Sequence, residues 1–221
     1  VAKQVFDFAK DELRPLLASM QSLNVTIPEI EFYLQNRAAE SYNDKIAAIG
    51  GMADGGSGIL TADARAYLAS ISPAKLYAYT SLASRVDAMT KQTRELMVAG
   101  GLEDRATINT WEAANPQYVP LQRDLGRDEG VSGMGQGFSV THKIARAMGS
   151  AKTVKDILAN IVAARERTIV KSEKNKIGQA VLGLALKAPN PDYWLAIDPN
   201  GNKNKAANFT ALLNMGLSIN E

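Results

Sequence analysis

The stretch from Lys152 to Lys187 constrains the fold of this 221-residue chain more than any other, because it reads as a single long helix. Val154, Leu158, Ile161, Val162, Ile169, Ile177, Val181 and Leu184 recur at spacings that fit one apolar stripe, and Arg165, Arg167, Lys171, Lys174 and Lys176 fill much of the remaining circumference. Eight Lys or Arg side chains stand there against Asp156, Glu166 and Glu173, which places a basic face on the rod. A rod of this kind suits a supporting or partner-binding element better than a catalytic pocket. Solvation is the ordinary reason for a charged face, and an anionic partner is the rarer one.

The other segments continue the helical pattern. A first helix is expected from Ala2 to Met20, with Val5, Phe8, Ala9, Leu13, Leu16 and Leu17 inward and a kink or fresh start near Glu12, because Pro15 has no amide hydrogen to donate. Thr26, Pro28 and Glu29 announce a second helix through an N-cap, a first-turn proline and a carboxylate at the positive end of the helix dipole. Its stripe is Ile30, Tyr33, Leu34, Ala38, Tyr42 and Ile46, and Gly50 and Gly51 stop it. These two helices read as an antiparallel hairpin. Thr61 fits an N-cap for 62–70, and Pro73 opens a helix carrying Leu76, Tyr77, Leu82, Val86 and Met89 that continues through 91–97 to Gly100 and Gly101. Ile108 and Trp111 anchor a short helix over 103–114. Residues 115–141 form the longest irregular stretch, with 118–121 compatible with extended chain, and Pro189 and Pro191 end the long helix before a last short one at 208–215.

Short Gly and Pro breaks between helices predict an all-α fold, an irregular antiparallel bundle with a long helix in its C-terminal half and Gly/Pro-rich loops. The chain is long enough to bury a core without metal or disulfide staples. A single domain over 1–221 is the expected organisation, divisible into an N-terminal bundle at 1–115 and a long helix with its C-terminal cap at 142–221. The ends of the sequence suggest a piece of a larger protein.

Composition narrows the chemistry. Cysteine is absent and His142 is the sole histidine, so thiolate nucleophiles, cysteine-based zinc or iron–sulfur sites and multi-histidine centres are excluded. No cofactor or metal site is expected. With 25 basic and 23 acidic side chains the chain is near balance, unlike a dedicated duplex-DNA binder, whose phosphate contacts draw on a concentrated basic surface. No stretch reaches the ~20 apolar residues of a bilayer span, and the first residues lack the pattern of a secretory signal.

The glycine cluster at 50–58, GGMADGGSG, offers backbone amides to an anion beside the start of the next helix. It lacks the Lys-Ser/Thr of a nucleotide loop, so a mobile interhelical connection is the simpler expectation. Glycines 126, 130, 133, 135 and 137 lie on a loop bordered by Arg123, Arg127, Asp128 and Glu129, where Arg127 can meet an acidic side chain or a phosphate. His142 has no identifiable triad partner. A carboxylate-dependent hydrolase needs Glu40, Glu166 or Glu173 to converge on a cleft. Pairing of Glu40 with Arg37 or Lys45, and of Glu166 and Glu173 with Arg167, Lys174 or a neighbouring chain, accounts for them without a substrate. Trp111 and Trp194 are expected to anchor loops against helices.

NRAAESYN at 36–43, GSGILTADA at 56–64, QYVPLQRD at 117–124 and VKDILANIVAARERTIVKSEKNKIGQAVLGLA at 154–185 together resemble the helical regions of the large polyvalent proteins of bacteriophages and conjugative elements. The resemblance implies a non-catalytic helical scaffold or interaction module, joined in such proteins to enzymatic domains. Its implied partners are those other domains or virion proteins, and its implied location is the virion or the bacterial host cytoplasm. No catalytic residue carries over. Relatives often place histidine in the segment matching 37–40, where this chain reads RAAE, which weakens acid–base chemistry there. The alternative to a protein-binding module is nucleic-acid association through Arg165, Arg167, Lys171, Lys174 and Lys176, assisted by Arg123 or Arg127.

Overall fold

The computed structural model describes residues 1–115, 117–120 and 156–188. Among these the chain is all-α, an irregular antiparallel bundle without a strand, as its periodicity predicts. Helix α1 (Ala2–Phe8) runs into α2 (Arg14–Ser22) through a π-helical turn, Ala9–Leu13. There the Arg14 amide donates to Ala9 O, five residues back. This widening just ahead of Pro15 is the form the expected interruption takes: one turn is slackened where the proline supplies no donor, and the helix goes on. Phe8, Leu16 and Met20 are buried, whereas Leu17, expected inward, is exposed.

Helix α3 (Ile27–Ala48) opens with a capping box. The Glu29 amide donates to Thr26 Oγ1, and the Thr26 amide donates to Glu29 Oε2 at 2.9 Å. Ile30, Tyr33, Leu34, Ala38 and Ile46 are buried as the stripe predicts, and Tyr42 is half-buried. Next come α4 (Thr61–Ser70), α5 (Pro73–Ala99), α6 (Arg105–Ala114) and α7 (Ile157–Lys187). In α5 the residues three and four places before Leu82 are Tyr79 and Ala78, and these share its buried face. Leu76 and Tyr77, expected inward, lie off that face and are exposed. The first two long helices do not form the expected hairpin: α2 packs on α5, and α3 packs on α4 and α5. Tyr118–Pro120 is free of helix, with Val119 buried under the Tyr42 hydroxyl, which donates to Val119 O at 2.7 Å.

One core joins these elements. Leu16, Ile30, Leu34, Leu82 and Val86 are fully enclosed together with Ile157, and Leu158 and Ile161 of α7 belong to the same cluster. The long helix is therefore packed into the bundle at its N-terminal end, against α1, α3 and α5. Further along, its apolar stripe leaves the core. Ile177 follows Ile169 by eight residues, which is about 80° round the helix, and Ile177, Val181 and Leu184 are exposed. The inward positions there are Thr168, Ser172 and Asn175. No helix among the described residues is long and apolar enough to cross a membrane.

Candidate interaction surface on the long helix

A helix leaves four amide hydrogens at its start and four carbonyls at its end without internal partners. In this bundle many of the polar side chains that might be read as chemistry are engaged with those groups. Asp156, at the start of α7, adopts a left-handed conformation and offers no side-chain cap, and Glu31 of α3 accepts from the Leu158 amide at 2.8 Å instead. Burial raises the Glu31 carboxyl pKa above its ordinary value, although the Leu158 amide pulls it down. Asp104 accepts from the Thr107 amide at 2.7 Å and so caps α6. At the other end of α5, Asn175 Nδ2 donates to Gly100 O at 2.7 Å and to Gly101 O at 3.1 Å.

The glycine-rich connection follows the same logic. Asp54 accepts from the amides of Gly55 and Thr61, from Thr61 Oγ1 and from Asn43 Nδ2. Its carboxylate thus occupies the place at the start of α4 that a phosphate would need. Asn43, buried on α3, also accepts from the Ser57 amide at 2.8 Å and donates to Ile59 O at 3.0 Å. A Cβ at Gly56 would lie 2.8 Å from Ile46 Cδ1, so glycine there lets the loop close over the helix. The connection is tied down rather than loose. Asn43 and Asp54 went unnoticed in the sequence, since nothing about their spacing says that an 11-residue separation brings them together.

The carboxylates proposed for hydrolysis share no partner among the described residues. Glu40 pairs with Arg65 of α4, not with Arg37 or Lys45. Glu173 receives Lys176 at 2.9 Å and Gln4 of α1 at 3.2 Å, and Glu166 is exposed on α7. Arg37 makes a two-pronged pair with Asp87 of α5, at 2.7 and 2.9 Å. No group of three or more His, Asp or Glu among the described residues is arranged to hold a metal ion. Trp111 is half-buried on α6, while His142 and Trp194 lie outside the described residues.

The basic face expected on α7 divides into two parts. Arg165 does not belong to it: only 3% of its surface is exposed, and it points into the bundle. Its Nη2 donates to Glu12 at 2.5 Å and to Met89 O and Gln92 Oε1 at 3.2 Å, and its guanidinium carbon lies 4.9 Å from the Phe8 ring centre. Burial lowers the Arg165 pKa, against the Glu12 carboxylate that raises it, and raises that of Glu12. Arg167, Lys171 and Lys174 follow at i, i+4 and i+7, which is a single face of α7 directed away from the core. Arg167 is exposed and, among the described residues, donates to Ala163 O, one turn back. Lys171 and Lys174 are half-buried, and partial burial and the neighbouring Arg167 lower the Lys171 pKa. None of the three has a carboxylate partner among the described residues, whereas Lys176, on another side of the helix, is held by Glu173. Arg123 and Arg127 lie outside the described residues.

No protein-family model matches the chain, and neither a curated protein nor a solved structure matches it.

Proposed function

We propose that this chain is a non-catalytic helical scaffold and interaction module of a larger phage or mobile-element protein, and that it meets an acidic protein surface through Arg167, Lys171 and Lys174. The observation that carries this reading is the contrast on α7: Arg165 is enclosed and paired, while three cations at i, i+4 and i+7 share an outward face and have no carboxylate partner among the described residues. The polar groups nearer the core cap helix ends, which suits a rigid spacer, and the resemblance to polyvalent-protein helical regions supplies the setting. The partner is another domain of the same polypeptide or a virion component. Replacing Arg167, Lys171 and Lys174 with Glu should abolish capture of those flanking domains or virion proteins while leaving the helical circular-dichroism signal unchanged. Equal capture by the triple variant overturns the proposal.

The same three cations also favour a second reading, association with nucleic acid. Three phosphate contacts on single-stranded nucleic acid give a slope of log affinity against log salt of about −2, and about −3 on duplex. A titration at several salt concentrations separates this reading from protein binding, because a salt-insensitive or absent signal removes it.

A further inference from the structure

Helix α7 changes character along its length. Its first turns bury Ile157, Leu158 and Ile161 in the core, but further on the side that faces α5 is polar: Ser172 Oγ donates to Leu96 O at 3.2 Å and Asn175 Nδ2 to Gly100 O at 2.7 Å. Val181 follows Ser172 by nine residues and Leu184 follows Asn175 by nine, which is about 180° round the helix. With Ile177 they make an aliphatic stripe on the side away from α5, where Ile177, Val181 and Leu184 keep 50%, 45% and 57% of their surfaces exposed. A helix that docks once turns its apolar stripe inward. Here the polar side is turned in and the aliphatic side out, which makes the outer face a seam for another element.

We infer that this seam and the cations Arg167, Lys171 and Lys174 form one surface that takes an acidic amphipathic helix of a partner protein. The inference rests on the reading of those cations as a site for an acidic protein surface, and adds to it the apolar contact and the form of the partner. Lys174 and Val181 stand seven residues apart and so share a face, which joins the cationic strip to the aliphatic one along about 26 Å of α7. A helix that lays aliphatic side chains on Ile177, Val181 and Leu184 and carries carboxylates towards Arg167, Lys171 and Lys174 covers the apolar surface and neutralises charges that have no carboxylate partner among the described residues. Charge and composition select this occupant over two others. A flat anionic membrane surface would also meet Glu166, which is exposed and lies in line with Leu184 eighteen residues on, and α7 carries none of the aromatic residues that anchor interfacial helices. A second copy meeting this face with its own would bring cations where carboxylates are needed.

The probe is a synthetic helical peptide with leucine at i, i+4 and i+7 and glutamate along one flank, titrated into the full chain by fluorescence anisotropy. It should bind, whereas peptides with serine in place of leucine or lysine in place of glutamate should not. Ile177→Gln, Val181→Gln and Leu184→Gln together keep the charge and the helical circular-dichroism signal, and should weaken the peptide about tenfold or more, the least that uncovering one buried aliphatic side chain implies. If Glu at positions 167, 171 and 174 abolishes binding but the three glutamines leave it intact, the seam is no part of the site and the inference fails while the charged reading stands. Binding that ignores both sets of changes, or no binding at all, overturns the inference. So does co-sedimentation with phosphatidylserine vesicles in place of peptide binding, or a dimer that the glutamines dissolve, which assign the seam to a membrane or to a second copy. The chain has no cysteine of its own, so Val181→Cys can be alkylated in the free chain beside the exposed Thr80→Cys. Equal rates are expected, and a slow rate at position 181 means that the chain covers its own seam and overturns the inference too.

Discussion

Arg165 shows how a residue type can mislead when read alone. In the sequence it is one of several cations on a basic helix, but in the bundle it is the most enclosed charge described, paired with Glu12, whose side chain keeps 20% of its surface exposed. Breaking such a pair leaves an uncompensated charge behind, whereas replacing both members with apolar groups need not destabilise. Glu12→Ala should therefore cost about 3 kcal/mol in chemical denaturation, and Arg165→Met combined with Glu12→Leu should recover most of it. A loss for the double variant as large as that for the single one would show that Arg165 contributes through Met89 O and Gln92 rather than through Glu12. Glu29 offers a test by pH. Hydrogen bonds from Lys75, first, and from Thr26 lower its carboxyl pKa from 4.5 to about 2. A carboxyl pKa lowered by folding contributes stability that is full above the unfolded value and disappears as pH falls through the folded one. Glu29→Gln should therefore flatten the decline in stability between pH 4.5 and 2, as followed by denaturation at stepped pH.

Two glycines within a few turns of each other have opposite meanings at the level of helices. A Cβ at Gly100 would overlap Oγ and Cβ of Ser172 and lie 2.9 Å from its Cα, so this glycine lets the end of α5 approach α7 closely enough for Asn175 to cap it. Gly178, inside α7, has nothing within 4 Å of its Cβ position. Gly100→Ala should destabilise by about 1–3 kcal/mol, the usual cost of forcing atoms into a packed contact. Gly178→Ala should stabilise by up to ~1 kcal/mol, because alanine restricts the unfolded chain and favours the helix. Thermal unfolding of the two variants checks the signs, and a stabilised Gly100→Ala would mean that Gly100 does not sit in a tight contact with Ser172.

For the whole molecule, α7 completes a core begun by the N-terminal helices. Ile157, Leu158 and Ile161 cluster with Leu34, Leu82 and Val86, and without α7 those faces of α3 and α5 meet water, while the Gly100 and Gly101 carbonyls lose Asn175. A chain ending at Pro120 should keep far-UV helical signal yet lose near-UV circular dichroism and bind a hydrophobic dye, the signature of helices without fixed packing. A cooperative, near-native unfolding transition in that shortened chain would show that the first six helices form a core of their own.

Much of this architecture is legible from local chemistry. The Thr26–Glu29 capping box, the glycines ending α3 and α5, the proline opening α5 and the stripe from Ile30 to Ile46 depend on interactions within a few residues, and the 3.6-residue period decides them before any long-range contact forms. Whatever depends on which helices become neighbours lay beyond the sequence. Glu31 caps a helix 127 residues away, and Arg165 reaches a carboxylate 153 residues away. The outward drift of Ile177, Val181 and Leu184 appears only once α5 is seen to stop opposite Asn175. A helical period specifies which residues share a face. Whether that face meets core, charge or water is decided by where the partner helices lie and end, and that is a property of the folded chain alone.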